Sequence, residues 1–313
     1  MDKYTAAVDL GATNVRTALI DESGEIKYYT SNEVKNITDG SEIQMMIQNM
    51  IKDSSEKTGI KPSAIGISTA GPVDLKTGSV VSSPNMSCGR IFLTEPLSDF
   101  FKIPAMMATD CKAGAVGEYY FGLPSSKPKP SVLVYITFSS GIGSGIFADG
   151  KILFGSDGNA GEVGHIFVDS TYAMTCGCGK KGHWEAYSSG NNIPKFFSKW
   201  REEIFGKTNC NPQAKLTAGQ ILHAAELKSP LCSAFAETLA EINGRGLSSV
   251  IAAYNPGLIV LDGPVALNYP SLIAGKMIEH TDTYLTMPEI RLSSLNGKAP
   301  LLGASKLAFE EIN

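Results

Sequence analysis

The segments YTAAVDLGATNVRTALIDESGEI (4–26) and VLVYITFSSGIGSGIFADGKI (132–152) follow one pattern. Each is an apolar strand, a turn built from Gly with Ser, Thr or Asn, a second apolar strand, then Asp and Gly at the next turn. Two β-hairpins can agree this far by chance. The elements after each hairpin also come in a matching order, which favours duplication of one α/β unit. A chain of 313 residues exceeds what one hydrophobic core usually serves, so two related α/β domains are expected.

Within the first hairpin region, TAAVDL, VRTALID and IKYYTS are separated by GATN and ESGE, which reads as a β-meander. Ile43, Met46, Ile47, Met50 and Ile51 recur at helical spacing, so 41–57 is expected to be an amphipathic helix. AIGIST (64–69) is a short buried strand, followed by a helix around 94–102, a strand over 105–108 and a helix over 111–121. PSSKPKP (124–130) is the clearest boundary in the first half. After the second hairpin come a loop-rich insert (154–192), helices near 217–227 and 230–254, the strand GLIVLDG (257–263), a helix near 271–281 and a C-terminal helix from 302. The expected domains are 1–122, with helix 302–313 packing back on it, and 123–301, which holds the 154–192 loop.

Lys and Arg total 27 against 31 Asp and Glu, a net charge of −4. No global basic field therefore draws nucleic acid or an anionic membrane, and phosphate affinity has to come from local backbone donors and a bound cation. No stretch has the uncharged apolar length that spans a bilayer, and MDKYTAAVDL lacks signal-peptide architecture. Six scattered cysteines read as reduced thiols, not as a disulfide framework. The expectation is a cytoplasmic protein with no nucleic-acid or membrane partner.

In DLGATNVR (9–16) a turn without bulky side chains lets backbone N–H groups approach phosphate oxygens. Thr13 adds a hydroxyl donor, and Asp9 at the strand end suits a Mg²⁺–water contact. An ordinary hairpin whose glycine meets a positive-φ requirement would look the same. TFSSGIGSG (137–145) offers a second cradle, held rigid by apolar strands on both sides. NPGLIVLDG (255–263) is a buried strand ending at Asp-Gly before a helix, where nucleotides commonly meet backbone amides in α/β sheets; on its own it reads first as a generic strand–turn–helix. Thr109 and Asp110 follow a strand and precede a helix; a carboxylate there can take a proton from a substrate hydroxyl, and it can equally cap the helix.

The densest motif joins NAGEVGH (159–165) to CGCGKKGHWE (176–185). Cys176, Cys178 and His183, with His165 ahead of them, can close a tetrahedral Zn²⁺ site. Glu162 and Glu185 bracket the set and are good acceptors for sugar hydroxyls. The alternative is a glycine-rich loop with incidental thiols.

Together these motifs resemble the ROK family (repressors, uncharacterised frames and sugar kinases) of the actin-like ATPase superfamily. The resemblance runs in order over almost the whole chain: 9–16, STAGP (68–72), Pro84 and Asn85, Thr109 and Asp110, 139–145, AGEVGH, CGCGKKGHWE, 257–263 and APLLGA (299–304). It implies an α/β fold of two ribonuclease-H-like (actin-like ATPase) domains flanking an interdomain cleft. The implied activity is an ATP-dependent sugar kinase that moves the γ-phosphoryl group to the 6-hydroxyl of glucose or a related hexose. By the same resemblance Asp110 is the base, and Asn85, Thr109, Asp110, Glu162, His165 and Glu185 hold the sugar. Asp9, Gly11, Thr13, Asn14, Thr137, Ser140 and Gly141 face the ATP phosphates and Mg²⁺, with Gly263 beside the adenosine. Family members often dimerise, so a homodimer is implied.

Three departures bear on function. The family usually has Asn-Asp where this chain has Thr109 and Asp110, which alters one sugar hydrogen bond; an N-acylated hexosamine such as N-acetylmannosamine is the alternative substrate. The usual Gly-Thr-Gly of the second phosphate turn is Ser139, Ser140 and Gly141, which keeps a hydroxyl. The third zinc cysteine is His183, which can still ligate Zn²⁺. A repressor of the family would carry a helix-turn-helix before the first turn, and a start at Asp9 leaves no room for one. An actin-like filament ATPase would have no use for GEVGH and CGCGKKGHWE.

Overall fold

The structure is a computed structural model and describes residues 3–81, 88–126, 128–206 and 216–312. In chain order it begins with β1 (Tyr4–Leu10), β2 (Asn14–Asp21), β3 (Ile26–Glu33), α1 (Gly40–Thr58) and β4 (Ala64–Thr69). Three short strands, β5 (Val73–Asp74), β6 (Ser79–Val80) and β7 (Ile91–Phe92), precede α2 (Thr94–Phe101), β8 (Ala105–Thr109) and α3 (Asp110–Gly117). Next come β9 (Val132–Phe138), β10 (Ile142–Ala148), β11 (Lys151–Ile152), α4 (Glu185–Ser188), α5 (Ile193–Phe205), α6 (Ala218–Glu226) and α7 (Pro230–Tyr254). The chain ends with β12 (Leu258–Asp262), α8 (Pro264–Asn268), α9 (Lys276–Glu279), β13 (Glu289–Leu292) and α10 (Ala299–Ile312).

Both five-stranded sheets have the same order, β3-β2-β1-β4-β8 and β11-β10-β9-β12-β13. In the first, β1, β2 and β3 form an antiparallel meander, while β4 lies parallel to β1 and β8 parallel to β4. In the second, β12 is parallel to both β9 and β13. The two similar hairpins of the sequence therefore take equivalent places. The chain divides into two compact units: unit 1 is Met1–Lys129, Gly145–Ala160 and Ser294–Asn313, and unit 2 is Pro130–Ser144 and Gly161–Ser293.

In unit 1 the period of two along β1 sends Ala6, Val8 and Leu10 to one core, with Ile43, Ile47, Met50 and Ile51 of α1. Ala7 goes to the other face, with Leu301 and Leu302 of α10. Helix α1 starts where Asp39 accepts from Ser41 N–H at 2.9 Å, and it stops at Gly59, whose φ of 72° only glycine adopts easily. Helix α10 reaches the backbone of its neighbours. A Cβ on Gly66 would run into the Ala304 carbonyl, one on Gly117 into the Ala299 carbonyl, and one on Gly303 into the Ala113 carbonyl. Thr5 and Ser305 share a buried hydroxyl bond of 2.6 Å across the same contact.

In unit 2, α7 packs under Trp184, whose Nε1 donates to Asn243 Oδ1 at 2.8 Å and whose ring covers Gly246. Phe138 meets Trp184 edge to face at 5.5 Å. Among the described residues, no helix is long and apolar enough to cross a membrane.

Some elements differ from the sequence reading. The helix expected over 111–121 starts at Asp110, and after Gly117 it continues as a π turn, Glu118–Gly122. The one near 271–281 is a π turn, Ser271–Gly275, running into α9. The C-terminal helix begins at Ala299, three residues early. Helices α5 and α8, strand β13 and the small β5-β6-β7 sheet had no counterpart. Helix α5 buries Ile193, Phe196, Phe197 and Trp200 at helical spacing, but the loop-like composition before it masks its start.

The α10 seat makes a direct prediction. Gly303→Ala places a methyl where the Ala113 carbonyl lies, and overpacking against backbone costs about 1–3 kcal/mol or more. Thermal melting should rank it well below wild type. Gly89→Ala, where the added carbon meets nothing within 4 Å among the described residues, should melt with wild type; equal melting of all three would show that the seat is not tight.

Candidate active site

The parallel strands of unit 1 end level, Leu10 beside Thr69 and Thr69 beside Thr109. Ligands of open α/β sheets gather at the carboxyl ends of strands. That edge here carries Asp9, Ser68, Thr69, Thr109 and Asp110. The β1–β2 turn is closed by Gly11 N–H donating to Asn14 O at 2.9 Å, and Thr13 O accepts from Val34 N–H at 2.8 Å. Gly11 is half-buried, while Thr13 and Asn14 are exposed at the tip.

Asp9 is buried, with Oδ1 accepting from Ser68 Oγ at 3.0 Å and Oδ2 facing Arg16 Nη1 at 3.3 Å. Burial pushes its carboxyl above the ordinary value, and the Arg16 charge and the Ser68 bond pull the other way without cancelling it. Neither Arg16 nor Ser68 stood out as a partner in the sequence; the parallel register of β1 and β4 supplies Ser68.

Asp110 is the first helical residue of α3, and the N-cap position belongs to Thr109, whose side chain makes no capping bond. The capping alternative for Asp110 is thus corrected by one position. Its Oδ1 accepts from Cys111 N–H at 2.7 Å, at a helix end that favours negative charge. Thr109 is buried. Lys112, also buried, donates to Ala160 O at 2.8 Å and ties α3 to the end of the 145–160 segment. Asn85 and Pro84 lie outside the described residues.

In unit 2 the turn between β9 and β10 is enclosed by the α4 segment. Ser139 N–H donates to Gly141 O at 2.9 Å, and Ser139 O accepts from Gly190 N–H at 2.7 Å. Ile142 N–H donates to Glu185 Oε2 at 3.0 Å. Ser140 is exposed at the tip and Gly141 half-buried. Thr137 pairs with Asp262, and Gly263 follows with φ 89°, where a Cβ would meet Phe138 O and lie 2.7 Å from Thr137 Oγ1. Thr137 and Gly263 therefore share one edge of the second sheet.

The 161–165 turn rests on β10: Ser144 Oγ donates to Gly161 O at 2.6 Å, and a Cβ on Gly164 would strike Ile142 O. Glu162 is exposed, 3.9 Å from His165 Nε2. His165, Cys176, Cys178 and His183 bring four ligand atoms within 4.8 Å of one another. His165 Nδ1 and His183 Nδ1 are 3.2 Å apart, Cys178 Sγ is 3.3 Å from His183 Nδ1, and Cys176 Sγ is 3.7 Å from His165 Nδ1. Burial pushes the Cys176 thiol up to about 11 and, with the His165 charge, holds the His183 ring below its ordinary value.

The loop before the first cysteine hangs on Asp169, which no motif announced. Its Oδ2 accepts from Tyr172 N–H and Tyr187 OH, each at 2.9 Å, and Oδ1 faces Arg245 Nη1 at 3.4 Å. Tyr187 OH in turn accepts from Met174 N–H at 3.0 Å.

Two five-stranded sheets of the same ribonuclease-H-like order, in a chain that divides into two compact units, make this a two-domain actin-like ATPase fold. The sequence model of the ROK family matches residues 5–311, and the chain belongs to the ROK family. The glucokinase of Pyrobaculum calidifontis is 32% identical, over 99% of this chain and 96% of its own length. The ROK hexokinase of Thermus thermophilus has a TM-score of 0.84 at 25% identity, covering 99% of both chains. A ROK family glucokinase from Streptomyces griseus, solved in complex with glucose and AMPPNP, has a TM-score of 0.74 at 25% identity, over 98% of this chain and 99% of that one.

Asp169 predicts a pH signature. Burial alone would raise its pKa, but hydrogen bonds from Tyr172 N–H, the Tyr187 hydroxyl and other N–H groups outweigh burial and hold it below 3.8. A carboxyl depressed by folding contributes stability above its unfolded pKa and loses it as pH falls through the folded one. Asp169→Asn should cost about 1–3 kcal/mol at neutral pH. The melting gap to wild type should close on acidification below 3.8; a gap unchanged in acid would rule this out.

Proposed function

We propose that this chain is an ATP-dependent sugar kinase that transfers the γ-phosphoryl group of ATP to the 6-hydroxyl of glucose or a related hexose. The observation that carries the reading is the end-to-end correspondence with the Streptomyces griseus glucokinase bound to glucose and AMPPNP, over 98% of this chain. In the proposed step Asp110 takes the proton of the hydroxyl. The hydroxyl oxygen bonds to the γ-phosphorus while the bond to the β,γ-bridging oxygen breaks, and ADP leaves with that electron pair. Thr13, Asn14 and Gly11 in unit 1, and Thr137, Ser140 and Gly141 in unit 2, are assigned to the phosphates; the exposed tips of both turns support this. Gly263 is assigned to the adenosine. Asn85, Thr109, Glu162, His165 and Glu185 are assigned to the sugar.

Asp9 fits a Mg²⁺ ion: it is a buried carboxylate whose charge its neighbours leave under-compensated. Bound there, Mg²⁺ would neutralise phosphate charge. The second reading, an N-acylhexosamine kinase, draws on Thr109, a short buried side chain at a position where the family usually carries Asn. The enzyme is further read as a cytoplasmic homodimer without nucleic-acid or membrane partners.

The four-residue cluster fits Zn²⁺. A tetrahedron with ordinary Zn–N and Zn–S bonds has edges of about 3.3 Å between nitrogens and about 3.6 Å between nitrogen and sulfur. The three separations of 3.2, 3.3 and 3.7 Å lie within about 0.3 Å of these, and all four ligand atoms lie within 4.8 Å of one another. His165, Cys176, Cys178 and His183 would hold the ion, which would cross-link the 161–165 turn to the 176–183 loop and so fix His165 and Glu185 for the sugar.

Two experiments test this. ADP release should require a hexose, and a sugar panel with product analysis should name it; hydrolysis indifferent to sugar would instead support a filament-type ATPase. Asp110→Asn should lose at least about 10²-fold in kcat while AMPPNP affinity stays close to wild type, and wild-type turnover would remove Asp110 from its role. For the metal, elemental analysis should find about one Zn²⁺ per chain, with Cys178→Ala losing it and melting earlier. Metal-free protein whose melting ignores chelator would overturn the zinc assignment.

A further inference from the structure

The Glu185 side chain reaches from the segment assigned to the sugar to the turn assigned to the nucleotide phosphates. Glu185 opens α4 and lies two residues beyond His183. Its Oε2 accepts from Ile142 N–H at 3.0 Å, at the residue where the 139–141 turn passes into β10. The same oxygen lies so close over Gly141 that a Cβ there would come to 2.5 Å from it. Its other oxygen, Oε1, is 3.7 Å from Cys176 Sγ, in the cluster read as a zinc site.

The rest of the segment reinforces this contact. Gly190 N–H donates to Ser139 O at 2.7 Å, and Asn191 N–H to Ser140 O at 3.4 Å. Asn192 Nδ2 folds back on Glu185 O at 3.0 Å and on Ser189 Oγ at 2.8 Å. Residues 190 and 191 thus take the carbonyls of Ser139 and Ser140, Ser139 N–H takes that of Gly141, and the Ile142 amide is taken by the Glu185 carboxylate. A charge-assisted bond to backbone is about twice as strong as a neutral one.

We infer that Glu185 is a positioning residue for the 139–142 turn, so that the sugar-side segment and the nucleotide-side turn of unit 2 form one mechanical piece. The nucleotide consequence rests on the kinase reading above. Beyond any bond Glu185 makes to sugar, its loss should loosen the turn and weaken nucleotide binding before sugar is present. The amide geometry needs only an acceptor oxygen at that point. Glutamine supplies one and alanine does not.

Three measurements decide the matter. Hydrogen exchange in the ligand-free protein should show the Ile142 amide protected in wild type and in Glu185→Gln and exposed in Glu185→Ala. AMPPNP affinity without sugar should fall about five- to tenfold in Glu185→Ala and stay within about twofold of wild type in Glu185→Gln. Gly141→Ala should weaken AMPPNP binding in the wild-type background and cost far less in the Glu185→Ala background, because the added methyl then has no carboxylate to strike. An Ile142 amide that exchanges alike in all three proteins overturns the inference. So does a Gly141→Ala cost that is equal in both backgrounds. Failure of wild type to bind AMPPNP strikes the kinase reading instead, and the exchange measurement still decides the brace.

Discussion

A helix comes within backbone contact of a sheet only where the facing surfaces carry no side chain, and unit 1 meets that condition along α10. Gly66 on β4, Gly117 at the end of α3 and Gly303 on α10 itself each face a carbonyl where a methyl would otherwise sit. Approach this close gains dispersion contact along the helix and pins β1, β4 and α3 against one rod. Those three elements carry Asp9, Thr69 and Asp110 at their ends. The site's carboxylates are therefore placed by a packing surface at the far end of the sequence, which is why a short run such as APLLGA (299–304) matters to a site built from residues 9–110.

Much of this was legible in the sequence, for reasons that differ by element. Apart from β13, the strands of the two five-stranded sheets showed themselves because alternation or a short apolar run between turn residues has few other readings. Helices α1 and α7 showed themselves through length and periodicity. Strand β13 did not: its four residues, EIRL, are only partly buried and gain their place from β12, a partner about thirty residues earlier. The three short strands β5 to β7 have two residues each, too few for any alternation to show. Among the candidate site residues, the turns and the His/Cys set stood out through local spacing, while Asp110 was singled out as a base only by the family resemblance, its local reading being a helix cap. Ser68 was visible only as part of a family motif, and its bond to Asp9 depends on a parallel register that no local pattern encodes. Asp169 and its partner Arg245, 76 residues on, lie beyond local reading altogether.

Unit 2 illustrates how polar accounting fixes a loop. The turn from Ser139 to Gly141 consists of small residues, and such a stretch can be floppy when its backbone groups face only water. Here a neighbouring loop takes its carbonyls through Gly190 and Asn191, and the same loop is anchored below by Trp184 on Asn243. Small side chains leave the tip exposed while the carbonyls of Ser139, Ser140 and Gly141 are all bonded. That combination, an exposed and unhindered backbone held rigid from behind, is what close approach to a phosphate demands.

The two carboxylates at the sheet edge of unit 1 then separate by environment rather than by type. Asp9 is buried behind Ser68 and Arg16, and burial raises its pKa despite both partners; a cation nearby relieves the strain of keeping it ionised. Asp110 is half-buried on the first turn of α3, where the helix itself favours the anion. Phosphoryl transfer leaves a protein little covalent chemistry to perform, so rate comes from positioning and from charge placed where charge develops. On the kinase reading proposed above, a buried carboxylate at the end of β1 and a half-buried one at the head of α3 would serve the metal and the proton separately, without either having to change role.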